Sequence, residues 1–182
     1  EVVAEEGQPC TRLTIVADGG IRVCSRPDDG RYSVEEALQA PYIIQPEHLF
    51  GPSTRHTRTF TAHEGCLLLS IDKNDVMQMC ARYQVFHINL LNAICAQAQR
   101  FAHTPWRHTP SATRPRIIRF ILNHCLTHTG SKRINIRIEQ LAHELNESRR
   151  AVSDELHLMH NEQLIVLKRE TIIVEHLEKL LR

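Results

Sequence analysis

The residues in this chain best suited to recognition chemistry are two adjacent arginines. Arg149 and Arg150 follow Ser148, whose hydroxyl can accept a backbone N–H as a helix N-cap, and precede Val152, Leu156 and Met159, which recur on one helical face. With that face packed inward, Arg149, Arg150 and Ser153 are left outward in the first turns of the helix. A guanidinium there can donate two hydrogen bonds to N7 and O6 of guanine in a DNA major groove. Lys168 and Arg169 form a second basic pair, between the β-favouring runs 164–167 and 171–174, and suit phosphate contacts.

These residues need a particular scaffold. Ile138, Leu141, Ala142 and Leu145 recur at helical spacing, and small Ala142 allows a second helix to cross closely. Asn146 follows where that helix must stop, and asparagine is among the few non-glycine residues that tolerate left-handed backbone. Residues 134–174 therefore predict two short helices across a tight turn and then a hairpin with a basic tip, the outline of a winged helix-turn-helix. The same outline occurs in domains that bind only protein, with Arg149 and Arg150 as a solvated helix start.

The remainder of the chain offers little other chemistry. The six cysteines (Cys10, Cys24, Cys66, Cys80, Cys95, Cys125) form no close pair, which predicts reduced thiols and provides no grouped set for an iron–sulfur cluster. His124 with His128, and His157 with His160, stand one helical turn apart. Each pair has the spacing of a metal clamp without an evident third ligand, and packing or surface roles are the competing reading for the twelve histidines. No metal and no cofactor is expected, although haem ligation by a single residue leaves no mark in a sequence. There is no glycine-rich phosphate loop, nucleophile elbow or His-Glu-x-x-His, so the chain does not read as an enzyme.

The 182 residues, 42% hydrophobic, suffice for one large or two small domains with real cores. The net charge of +1 conceals segregation: residues 1–75 carry −5, while 76–112 and 113–182 carry +3 each. No apolar run is long enough for a membrane span, so a cytoplasmic protein with no membrane partner is expected. Short β-favouring runs at 13–16, 21–24 and 66–71, divided by glycine-rich turns, predict a small β-roll over 1–75. Residues 76–103 lack glycine and proline and carry Val76, Met79, Tyr83, Phe86, Leu90 and Ala93 at three- and four-residue steps. That stripe suits either a core-facing helix or a two-chain seam, and dimerisation is the reading preferred here. Pro105 and Pro110 place a hinge at 104–112. A helix over 114–128 then opens a C-terminal domain, 113–182. The fold class is α+β.

In that order of elements the whole chain resembles the family of the cyclic-AMP receptor protein and the fumarate-nitrate regulator (Crp/Fnr). The pieces that carry the resemblance are Glu6-Gly7-Gln8-Pro9, Gly20-Ile21-Arg22-Val23, Ser148-Arg149-Arg150-Ala151-Val152-Ser153, and Leu164-Ile165 before the wing. It implies a homodimeric bacterial transcription factor on double-stranded DNA with two-fold-related half-sites, RNA polymerase as a further partner, and an N-terminal sensor for a small-molecule effector. It also implies that the sequence is shortened before Glu6. Arg149 matches the family arginine that reads a guanine or a nearby phosphate. Arg150 falls where many members have glutamate, Asp154 where arginine is frequent, and Glu155 at a place usually apolar. Asp154 is left with three roles: accepting from a base, pairing with Arg150, or pointing away.

The effector pocket departs from the family pattern. Where nucleotide-binding members carry Gly-Glu-Leu and a later Arg-Ser or Arg-Thr, this chain has Gln45-Pro46-Glu47 and His56-Thr57. Proline brings neither a carboxylate nor an N–H, and histidine is mostly neutral near pH 7, so a cyclic phosphate loses its main charge partner. Arg55 or Arg58 could compensate in a shifted register. The expectation is a DNA-binding regulator not controlled by cyclic nucleotide. The alternative is a sensor or scaffold that uses the roll and long helix for protein contacts without DNA, which Asp154 and Glu155 keep open.

Overall fold

The computed structural model describes residues 1–102 and 108–181, so residues 104–107 of the hinge expected at 104–112 lie outside the described residues. The chain divides into two compact units, Glu1–Arg22 with Leu38–Arg107, and Val23–Ala37 with His108–Arg182.

In the first unit β1 (Val2–Ala4) pairs antiparallel with β6 (Thr59–Ala62). A three-stranded antiparallel sheet has β2 (Arg12–Asp18) at its centre between β5 (Tyr42–Ile44) and β7 (Leu67–Asp72). Its register sets Leu13 opposite Ile71 and Ile15 opposite both Ile43 and Leu69. The turn after β2 needs Gly19, at φ +81, because a Cβ there would stand 2.9 Å from the Cα of Cys66. The expected strands at 13–16, 21–24 and 66–71 correspond to β2, β3 (Gly20–Ser25) and β7.

The continuous helix expected over 76–103 is two helices, α1 (Lys73–Arg82) and α2 (Gln84–Ala102), broken at extended Tyr83 (φ −124, ψ 99). The break has a packing reason. On a straight helix Val76 and Leu90 would lie about 21 Å apart. Here both are buried in one cluster with Cys10, Leu13 and Leu49, against which Phe86 packs. Half of the expected dimer stripe therefore serves the core of its own chain, where Val76 and Leu90 are buried. Among the described residues, the large apolar side chains left exposed along this segment are instead Met77, Tyr83, Val85, Ile88 and Leu91.

The second unit contains α3 (Thr113–His124), β8 (Lys132–Asn135), α4 (Ile138–Leu145), α5 (Arg149–Asn161), β9 (Val166–Lys168) and β10 (Thr171–Val174). β8 pairs antiparallel with β10, and β10 with β9. A further strand comes from far upstream. Residues Ser33–Glu36 of β4 (Ser33–Gln39) pair antiparallel with β8, setting Glu36 opposite Lys132. Val23–Ala37, inside the span 1–75 expected of an N-terminal domain, thus groups with the C-terminal elements.

The pair Glu36–Lys132 is fully buried, with Lys132 Nζ 2.7 Å from Glu36 Oε2. The same carboxylate accepts the backbone N–H groups of Leu126 (2.7 Å) and Thr127 (3.2 Å), and the ammonium also donates to Thr127 Oγ1. These bonds explain why α3 ends at His124 rather than near residue 128: the amides that a longer helix would point at Leu122 and Asn123 go to Glu36 instead. Tyr32, on the same upstream segment, donates its hydroxyl to His124 Nε2 (2.9 Å), while His124 Nδ1 bonds the Phe120 carbonyl (2.7 Å). With both ring nitrogens engaged, His124 serves packing rather than a metal clamp. Ile117, Ile121, Ile134, Leu141, Leu156 and Met159 fill the centre of this unit.

Removing one member of a buried ion pair strands the other. Lys132→Met should cost about 3–5 kcal/mol in urea unfolding, whereas Glu36→Gln with Lys132→Met should cost clearly less than the sum of the two single changes. Additive losses would show that the two side chains act independently.

Candidate nucleic-acid interface

The α4–α5 turn is built as the residue types require. Asn146 adopts the left-handed conformation (φ 51, ψ 50) as the C-cap of α4, and the Glu147 N–H returns to the Ala142 carbonyl. Ser148 is the N-cap of α5, its Oγ accepting the Ala151 N–H at 3.1 Å. Val152, Leu156 and Met159 are buried, so the first turn of α5 presents Arg149 and Arg150 to solvent. Ser153 is half-buried beside them. Lys168 ends β9, and the two-residue turn Arg169-Glu170, with Glu170 at φ 56, joins it to β10. Lys168 and Arg169 are both exposed.

Carboxylates accompany the arginines of this surface. Arg149 donates from Nε to Glu139 Oε1 at 2.6 Å, bridging the start of α5 to the first turn of α4. The Glu139 carboxyl is held below its ordinary pKa, first by its own backbone N–H at the helix start and then by Arg149. Arg150 lies 3.7 Å from Asp154, one turn along α5. Of the three roles left open for Asp154, the structure therefore shows the pairing with Arg150. Sequence reasoning missed Arg137, the N-cap of α4, whose Nε lies 3.2 Å from Glu170 Oε1. Its signal was available, since a basic residue immediately before a helix start is positioned to meet phosphate.

Glu155 has a different task. It accepts from Arg114 Nε at 2.5 Å, and Glu162 takes the two outer nitrogens of the same guanidinium at 2.7 and 2.8 Å. Glu162 first and Glu155 second push the Arg114 pKa up. An acid at a usually apolar place thus ties α5 to the start of α3.

The residues expected to form an effector pocket meet only in part. Gln45 is buried at φ 38, ψ 56, immediately before a 3₁₀ turn at Pro46–His48. Its Nε2 donates to Thr57 Oγ1 (2.6 Å), and its Oε1 accepts from the Thr57 N–H (3.3 Å) and His56 Nδ1 (3.1 Å). Arg55 turns elsewhere and donates to the Gly7 carbonyl at 2.7 Å. Glu47 lies 3.9 Å from His48, with its other oxygen buried and unbonded, and Arg58 is half-buried.

Comparison with known proteins agrees with this architecture. Residues 1–83 match the cyclic nucleotide-binding domain family. The structure of CLP from Xanthomonas campestris, described as a c-di-GMP responsive global regulator, superposes with a TM-score of 0.51 at 16% identity, over 96% of this chain and 89% of that one. FixK2 from Bradyrhizobium japonicum gives 0.52 at 12% identity, over 99% and 90%. The chain has the fold of the Crp/Fnr regulators. A transcriptional regulator from Thermotoga maritima shares it more locally, with a TM-score of 0.53 at 17% identity over 58% of this chain and 82% of that one. No curated protein matches the chain by sequence. Among the described residues, no helix is long and apolar enough to cross a membrane.

Within this Crp/Fnr-type fold the Gln45 amide takes up the hydrogen-bonding groups of His56 and Thr57 from inside the roll. Its carbonyl oxygen can only accept, so His56 must carry its proton on Nδ1. Burial, and secondarily His48, pushes the His56 pKa down. The folded state therefore binds fewer protons at His56 than the unfolded chain, so this stability is intact above the unfolded pKa of ~6.5 and declines as pH falls toward the depressed value. Thermal unfolding between pH 7.5 and 5.5 should show a steeper decline for the wild type than for His56→Gln. Parallel slopes would remove His56 as the source.

Proposed function

We propose that this chain is a sequence-specific DNA-binding transcriptional regulator of the Crp/Fnr type, with α4, α5 and the β9–β10 hairpin as a winged helix-turn-helix. The observation that carries the reading is the first turn of α5: two exposed arginines on a capped helix whose opposite face is buried. Arg149 reads a guanine edge, Arg150 and Ser153 lie alongside it, Lys168 and Arg169 hold phosphate, and Ser148 is committed to its cap. Asp154 restrains Arg150. The competing scaffold reading loses support, since both acids that favoured it have structural partners.

Under this proposal the regulator is a cytoplasmic homodimer that places two recognition helices in successive major grooves, about 34 Å apart, with RNA polymerase as a further partner. The exposed Tyr83, Val85, Ile88 and Leu91 form the seam, taking over from the stripe that includes Val76 and Leu90. Cyclic nucleotide is not its signal. Pro46 brings no carboxylate to the loop, Gln45 already occupies Thr57 and His56, and His56 is disfavoured as a cation. The roll acts as a regulatory body without catalytic chemistry.

Arg149→Ala should cost roughly 1–3 kcal/mol on an operator selected from a random pool and much less on random duplex, whereas Lys168→Ala or Arg169→Ala should weaken both alike. Fluorescence anisotropy titration checks this, and equal losses for Arg149→Ala would remove it from base readout. For the seam, Ile88→Glu should convert the dimer to monomer in sedimentation and lower operator affinity with it. A folded Ile88→Glu dimer would put the seam elsewhere.

A further inference from the structure

Three arginines around the α4–α5 turn and hairpin tip stand beside a carboxylate of the same unit: Arg149 with Glu139, Arg150 with Asp154, Arg137 with Glu170. The first pair is the shortest and joins two helices. It engages Arg149 through Nε, leaving the four N–H groups of the two outer nitrogens free of this contact. Those outer nitrogens suffice for an end-on bidentate contact to N7 and O6 of guanine. Resting on the DNA-binding reading above, we propose that Glu139 is a specificity-determining residue that tunes Arg149 toward bases and away from phosphates.

The physical distinction lies in the charge of the two acceptors. A guanine edge presents neutral oxygen and nitrogen, so Arg149 can keep its carboxylate partner and still read the base. A phosphate is an anion. To reach the same guanidinium it must either displace Glu139 or sit close to a like charge, and both lower the affinity of non-specific contacts. Asp154 and Glu170 act in the same sense on Arg150 and Arg137, more weakly for Arg150 because its pair is 3.7 Å apart. All three pairs are solvent-exposed, so each effect is modest, and together they lower the random-DNA background against which an operator must compete.

The test uses the full chain, a random-sequence duplex and an operator selected from a random pool, titrated by anisotropy across a salt series. Glu139→Gln keeps the shape and removes the charge. Affinity for random duplex should rise roughly two- to fivefold, its logarithmic salt slope should steepen by up to about one, and the operator-to-random ratio should fall. Glu64→Gln, an exposed residue in the turn after β6, makes the same change in net charge and should leave all three quantities unchanged. Glu139→Gln should stay folded with at most a small fall in unfolding temperature, since both partners are more than half exposed. If the wild type discriminates its operator and Glu139→Gln leaves the ratio intact, or weakens both duplexes equally, the role of Glu139 is overturned and DNA binding stands. If neither wild type nor variant binds any duplex, the regulator reading falls and this inference falls with it.

Discussion

A carboxylate and an ammonium, both withdrawn from water, meet where β4 lies against β8. Burying either charge alone would cost several kcal/mol, and the pair is tolerable only because the remaining lone pairs and protons also find partners. Glu36 takes two backbone amides as well as Lys132, and Lys132 takes the Thr127 hydroxyl as well as Glu36. This arrangement sets the end of α3, the path of residues 125–127 and the register of β8. Hydrophobic packing could hold β4 in several registers, but a buried ion pair tolerates one.

The candidate DNA surface follows the opposite logic. Its ion pairs are exposed, so they contribute little to stability and can exchange partners when an anion approaches. The rigid parts lie beneath them: the Ser148 cap, left-handed Asn146, and the buried face of α5. Arg114 with Glu155 and Glu162 adds an anchor that ties α5 to α3. A reading head of this kind keeps its backbone fixed while its side chains remain free to respond.

The legible parts of this fold were local. Asn146, Ser148 and the periodic apolar residues between Ile138 and Met159 specify two helices and their turn within 22 residues, and β2, β3 and β7 announce themselves as short apolar runs between glycine turns. What escaped depended on distant partners. The segment Ser-Val-Glu-Glu-Ala-Leu-Gln has no reason to be a buried strand until Lys132 appears opposite it, 96 positions later. Likewise Tyr83 is an ordinary helix residue by type; the break there follows from the roll requiring both Val76 and Leu90. The stripe had one face legible as apolar, but not which of two faces stayed inside. Around Gln45, spacing does not reveal the contacts that form: the inward turn of its amide onto His56 and Thr57, and the diversion of Arg55 to Gly7.

The upstream strand also bears on how the chain comes off the ribosome. Residues 23–37 emerge early, yet their pairing partner in β8 is made about a hundred residues later, so β4 must wait with an open edge while the intervening chain is synthesised. The contact is long in sequence, a topology that slows folding and lengthens the exposure of unpaired backbone. Glu36 then has a second use. A charge at the centre of a waiting strand disfavours pairing with another nascent copy, and it becomes compatible with burial only when Lys132 arrives to meet it.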